Sequence, residues 1–369
     1  MAARAKQMQA DGIDVISMSL GEPDFDTPEH IRRAAQQAID EHWSHYGPVP
    51  GIPSLRQAIA KSQITNHKSQ IVFEPENVLV SVGAKMAIYN AIQTVVNPGD
   101  EVIIPMPAWV SYTEMVKLAQ GKVVPVHTTF DDNYCLTPEQ LRAALTPRTR
   151  LLILCSPNNP TGAVYSHHQL AALIDVLRDF PDVFILSDEV YNALVYETDS
   201  PSLAEFPELA ERLIIINAVS KAYAMTGYRI GWLLSKNKDF IAACTRLQGQ
   251  QLTCATMVAQ KAAETALTGS QDCVEKMRQT FAERRELICR LAAQIPAFRF
   301  RKPQGAFYLF PDVSSIGTGD QVAELLLNKA HVAVVSGAAF GEPNCIRLSY
   351  AISTPQITEA LHRIQIALT

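Results

Sequence analysis

Two apolar runs in this 369-residue chain end abruptly in polar residues of chemical interest. Residues 183–186 lead into Ser187-Asp188-Glu189-Val190-Tyr191, and residues 213–219 lead into Ser220-Lys221. In α/β sheets ligands bind beyond the carboxyl ends of the strands, so a carboxylate and an amine placed there are candidates for proton transfer and nucleophilic work. A lysine directly after a buried strand is more often a solvated surface residue, and its neighbours have to decide. Arg229 follows in the run KAYAMTGYRIG that starts at Lys221, ahead of another apolar stretch. Burying a guanidinium there without a partner would be costly, which points to an anion beside it.

The elements that must position these residues are legible from periodicity. Short β-branched runs alternate with longer helical patterns, the signature of βα units and a mostly parallel sheet. The pattern predicts strands over 77–82, 101–105, 122–126, 150–155, 183–187, 213–218 and 230–234. Helix starts are marked by Thr27-Pro28-Glu29, by Thr137-Pro138-Glu139 and by Ser166 ahead of HHQLAALIDVLRDF. The first strand runs into Gly83-Ala84-Lys85, which opens a helix over 86–96. Free amides at such a start suit an anion, although the same junction also serves as a packing turn. Beyond residue 237 the pattern changes to long helices over 238–268 and 272–294, then short strands near 306–310, 332–335 and 345–350, an α+β arrangement. In the last of these, alternation sets Arg347 on the face opposite Ile346, Leu348 and Tyr350.

Four segments taken together resemble the fold-type I pyridoxal-phosphate enzymes, specifically class I aminotransferases of the bacterial aspartate branch. They are Ser19-Leu20-Gly21-Glu22-Pro23-Asp24-Phe25, Ser156-Pro157-Asn158-Asn159-Pro160-Thr161-Gly162, Ser187 to Tyr191, and Ser220 to Arg229. The resemblance implies a mainly parallel seven-stranded sheet in a large cofactor-binding domain, residues 24–265. A smaller α+β domain, residues 1–23 and 266–369, would close over the site. Lys221 would hold pyridoxal 5′-phosphate covalently through its amine and then shuttle a proton, two tasks that lysine chemistry can combine. Asp188 would pair with the pyridine nitrogen, and Tyr191 would donate to the ring oxygen that Asn159 shares. Asn159 is also a residue that braces turns. The backbone of Gly83, Ala84 and Lys85, with Ser220 and Arg229, would hold the phosphate. Trp109 would stack on the ring, and Tyr46 would reach the neighbouring site of a homodimer. Arg347 would clamp the substrate carboxylate in a bidentate fashion, with Asn159 and Trp109 beside it. Gly21 would bring its backbone close, and the Lys85 side chain would meet a distal carboxylate. A departure is Ala218, where some relatives have a serine touching the cofactor.

The implied activity is a ping-pong transfer of the amino group of an L-amino acid, aspartate or glutamate, to a 2-oxo acid such as 2-oxoglutarate. An aromatic or prephenate-type aminotransferase and a β-lyase on the same fold are the alternatives. Composition agrees with an ordinary globular enzyme. The chain is 47% apolar and 19% charged, with a net charge of −5, which offers no basic footprint for nucleic acid or a membrane surface. Seven cysteines, an odd number without a C-x-x-C pair, fit reduced thiols in a cytoplasmic protein with neither disulfide framework nor metal site. No apolar run is long enough for a membrane span, and the N-terminal segment lacks the apolar stretch of a secretion signal.

Overall fold

Runs of Leu, Ile and Val without polar alternation suit strands buried on both faces, which is how a parallel sheet covered by helices is built. The computed structural model describes residues 2–67 and 69–368 and bears this out. Seven strands form one sheet: β1 (Val78–Ser81), β2 (Glu101–Met106), β3 (Lys122–His127), β4 (Thr149–Cys155), β5 (Phe184–Asp188), β6 (Leu213–Ala218) and β7 (Gly231–Leu234). Their spatial order is β1-β7-β6-β5-β4-β2-β3. Only β7 runs against its neighbours β1 and β6; every other pair is parallel. Strand β6, in the interior, is buried at every position. Each strand that the apolar pattern predicts for this sheet forms, with shifts at the ends.

The predicted helix starts hold where local chemistry decides them. Thr137 and Ser166 each accept from the backbone N–H three residues on, while Gln140 and Gln169 return the bond. Thr27 does not cap. The helix Glu29–Asp40 begins after Pro28, and the Thr27 hydroxyl donates instead to the Ala224 carbonyl at 2.6 Å, a tertiary contact that displaces the local one. The single helix expected over 238–268 is two, Lys238–Gln251 and Met257–Thr268. Thr253, at φ 64°, takes a left-handed turn that a continuous helix cannot contain.

The later part of the chain forms a second layer. Its strands are shorter than periodicity suggests: Tyr308–Leu309, Val332–Ala333, Val335–Ser336 and Ile346–Ser349. Val332–Ala333 pairs in parallel with Ile16–Ser17, and the other three form an antiparallel sheet. The helices Asp272–Ala292 and Thr354–Leu368 cover them, burying Phe281 and Ile357 together with Met18, Phe307 and Leu348. Tyr191 and Leu194 after β5, and Ala224 after β6, join this apolar cluster. The loops at the strand ends are therefore pinned between two cores.

A buried carboxylate locks the far end of the large sheet. Glu101, at the start of β2, accepts from the Thr146 hydroxyl at 2.6 Å, from Arg148 at 2.9 Å and from Lys122 at 3.1 Å. These donors, Thr146 foremost, hold its carboxyl down at about 2. A depressed carboxyl adds stability that is complete above the ordinary carboxylate range and is lost as the pH falls towards about 2. Glu101→Gln is expected to remove that share, so the gap between urea midpoints at pH 6 and pH 3 should narrow relative to the parent chain.

Candidate active site

Strand β5 delivers Asp188 to the carboxyl edge of the sheet, 4% exposed. The Tyr112 hydroxyl donates to its Oδ2 at 2.5 Å, and the Val190 amide to its Oδ1 at 3.3 Å. Burial pushes the Asp188 carboxyl up to about 6, against the pull of those donors and of the Lys221 charge. A carboxylate in that condition gains most from a cation set against it.

Lys221 lies in the short helix Val219–Ala222 that follows β6. Its amine donates to the Gly21 carbonyl at 2.5 Å. Burial lowers its pKa to about 8, assisted by the Arg229 and Arg347 charges and opposed by Glu22. A larger share of the amine is then neutral near pH 7, the form in which it is a nucleophile and a base.

The strand–glycine–helix junction is present, with the helix running Gly83–Val95 and the amides of Ala84 and Lys85 in its first turn. Gly83 has φ +77°, and a Cβ there would sit 2.4 Å from Arg229 Nη2. A Cβ on Gly231 would lie 2.3 Å from the Ala84 nitrogen. Glycine at both places lets the arginine and the helix start converge on one spot, which suits a phosphate. The expected burial of Arg229 is corrected. The residue is exposed and donates to the Thr226 carbonyl at 2.8 Å, because its left-handed backbone turns it out over the junction. Its convergence with Gly83, rather than a desolvation cost, argues for an anion.

Arg347 is the most constrained charge of the site, at 6% exposure. It donates to Asn159 Oδ1 and to the Ser19 carbonyl, each at 2.9 Å, and its Nε has no partner. Both acceptors are neutral. The guanidinium lies between the rings of Tyr308, at 4.4 Å, and Phe340, at 5.0 Å. A buried cation held by neutral groups calls for an anionic ligand.

Gly21, Lys85, Trp109 and Ser220 join Ala84, Asn159, Asp188, Tyr191, Lys221, Arg229 and Arg347 around one cavity of about 410 Å³. The Lys85 amine lies 4.8 Å over the Trp109 ring, and Trp109 meets Tyr112 edge-on with centroids 5.4 Å apart. Gly83 is not among the lining residues, whereas its neighbour Ala84 is. Tyr46 stands apart from the cavity and is 90% exposed. Among the lining residues that sequence reasoning does not single out are two tyrosines, Tyr112 and Tyr308. Tyr112 stands in the first turn of the helix Ser111–Leu118, just after Trp109, and Tyr308 sits in a strand of two residues, too short to show alternation.

Comparison with known proteins agrees with this geometry. The family model for aminotransferase class I and II matches residues 13–364. An aspartate aminotransferase of Bacillus sp. (strain YM-2) is 43% identical over 99% of this chain and 94% of the relative. An aspartate/prephenate aminotransferase of Cereibacter sphaeroides is 42% identical over 98% of this chain and 93% of its own. Among solved structures, the aspartate aminotransferase from Rhizobium meliloti superimposes with a TM-score of 0.96 at 38% identity, covering 100% of this chain and 94% of that one.

Sheet, cavity and charges thus define a pyridoxal-phosphate enzyme of fold type I. The chain belongs to the class I and II aminotransferases and is a transaminase acting on amino acids and 2-oxo acids. The residues present fit the cofactor: an amine, a buried carboxylate in want of a cation, and an anion cradle shaped by two glycines share one cavity. Among the described residues no helix is long and apolar enough to cross a membrane.

Proposed function

We propose that this enzyme moves the amino group of aspartate or glutamate to a 2-oxo acid such as 2-oxoglutarate in two half-reactions. The observation that carries the reading is Arg347, a buried guanidinium with neutral partners and an unpaired N–H at the cavity wall. Its planar fork matches the α-carboxylate common to donor and acceptor. The exposed Lys85 amine beside Trp109 would meet the second carboxylate, and the similarity to aspartate aminotransferases favours aspartate. The aspartate/prephenate relatives keep the prephenate-type alternative in view.

When bound, the cofactor supplies an electron-accepting ring that steadies the charge left on the substrate Cα. Around it the protein's own groups would take the following parts. Lys221 would hold the aldehyde end through its amine, and its amine would serve to carry a proton at the substrate Cα. Asp188 holds the proton on the ring nitrogen, oriented by Tyr112. Tyr191, with Asn159, would donate to the ring oxygen, and Trp109 would pack on the ring. The amides at Gly83, Ala84 and Lys85, with Ser220 and Arg229, would hold the phosphate. Gly21 closes from the N-terminal segment. The exposure of Tyr46 fits a homodimer in which it reaches the site of a second copy, and the separate cores fit large and small domains divided near residues 23 and 265.

The test is a half-reaction with purified, cofactor-loaded protein and single amino acids, followed by absorbance. Aspartate and glutamate are expected to convert the cofactor to its amino form rapidly, and oxaloacetate or 2-oxoglutarate to reverse it. Conversion by aromatic amino acids alone would discard the distal pocket at Lys85, and pyruvate or ammonia release without the amino form would indicate a lyase. Arg347→Lys keeps the charge but loses the fork. It should raise KM for the donor by roughly tenfold to a hundredfold with a smaller effect on kcat, as expected for about 1.5–3 kcal/mol of charged hydrogen bonding.

A further inference from the structure

Tyr308 touches three of the residues to which roles are assigned above. Its hydroxyl lies 2.7 Å from that of Tyr191. The face of its ring carries the Arg347 guanidinium at 4.4 Å. A Cβ at Gly21 would come within 2.9 Å of its hydroxyl oxygen, so the N-terminal segment approaches the same atom. The side chain has no freedom to leave. It is fully buried, its backbone pairs with Ser349, and the rings of Phe307 and Tyr191 pack on it at 4.8 and 5.8 Å.

We infer that Tyr308 is a positioning residue of the transamination site, whose hydroxyl donates to Tyr191 and directs the Tyr191 proton at the cofactor while its ring supports the Arg347 guanidinium. The inference rests on the roles proposed for Tyr191 and Arg347. Each phenol has a single hydrogen to give. Burial raises the pKa of both phenols, so both stay protonated over the working range. Two hydroxyls in contact therefore hold two protons and need only one between them, which leaves one for a third oxygen. An ionised ring oxygen is a stronger acceptor than a phenol, so it takes the proton of Tyr191. The 2.7 Å contact then persists only with Tyr308 as donor. Donation into the Tyr191 oxygen polarises its O–H and makes it a better donor in turn.

The experiment is a spectrophotometric pH titration of the bound cofactor in Tyr308→Phe, Tyr191→Phe and the double variant, with thermal melts to verify folding. Tyr308→Phe is expected to move the midpoint upward by roughly half a pH unit to one unit, the worth of a single neutral hydrogen bond. Tyr191→Phe should move it further. In the Tyr191→Phe background the second substitution should add nothing, since a residue acting through Tyr191 has no effect once that hydroxyl is gone. A wild-type midpoint in Tyr308→Phe, or the same shift with and without the Tyr191 hydroxyl, overturns the inference and leaves the site reading intact. A wild-type midpoint in Tyr191→Phe overturns the proposed role of Tyr191 and the inference with it. The ring is tested separately by calorimetric titration of cofactor-loaded protein with maleate, a dicarboxylate that cannot be transaminated. Tyr308→Leu should weaken binding by roughly threefold to thirtyfold and Tyr308→Phe should not, in keeping with a cation–π contact of about 0.5–2 kcal/mol. Equal maleate affinities in the leucine variant and the parent overturn that half.

Discussion

Replacing Lys221 by alanine is expected to reduce transamination by at least about four orders of magnitude, because a single side chain supplies both the anchoring amine and the proton carrier. The position of the amine makes the loss hard to rescue from within. It lines the cavity from the short helix after β6, and Arg229 and Arg347, which share that cavity, carry guanidinium groups rather than primary amines. Lys85 is a primary amine, but it lies over Trp109 at the exposed rim. Borohydride reduction followed by intact-mass measurement should find the cofactor fixed to the parent chain and absent from Lys221→Ala. The variant should still bind the cofactor noncovalently through the Gly83 junction and Arg229. Turnover at the parent level would remove the assignment of Lys221, whatever the state of the rest of the site.

The second large effect belongs to Asp188. Asp188→Asn preserves shape and removes charge, and is expected to slow the half-reaction by about 10²–10³-fold, the usual scale for deleting a preorganised electrostatic partner. The same residue predicts a pH dependence. In the protein without cofactor, burial holds the carboxyl at about 6. Only its ionised form pairs with a protonated ring nitrogen, so cofactor affinity should rise as the pH increases from about 5 through 6 and then level off. Fluorescence titration with pyridoxal 5′-phosphate across that range checks it. The Asn variant should bind weakly with no such rise, and a parent chain whose affinity is flat between pH 5 and 7 would contradict the pairing.

What sequence reasoning recovers, and what it misses, follows from the range of the forces involved. The strands of the large sheet announce themselves because double burial demands uninterrupted apolar runs, and the residues at their carboxyl ends inherit positions from the topology. Asp188 and Lys221 are placed that way, and the Gly83 junction by its φ requirement. The capping boxes at Thr137 and Ser166 are local and legible; Thr27 fails as a cap because a carbonyl 197 positions away takes its hydroxyl. The break at Thr253 and the exposed turn of Arg229 are backbone choices made by tertiary packing, and composition carries no trace of them. Tyr308 is the plainest case. Its partner Tyr191 is 117 positions away, and a strand of two residues is too short to display alternation.

The N-terminal segment has a bearing on biosynthesis. Among the described residues Ile16–Ser17 has its strand partner in Val332–Ala333, and the Ser19 carbonyl waits for an arginine 328 positions downstream. A chain emerging from the ribosome can complete the large sheet while its first residues are still without a place to dock. The carboxylate clamp therefore forms only after translation has passed residue 347. A nascent chain that stops short of Arg347 would carry Lys221 and Asp188 but would have no guanidinium with which to orient a substrate.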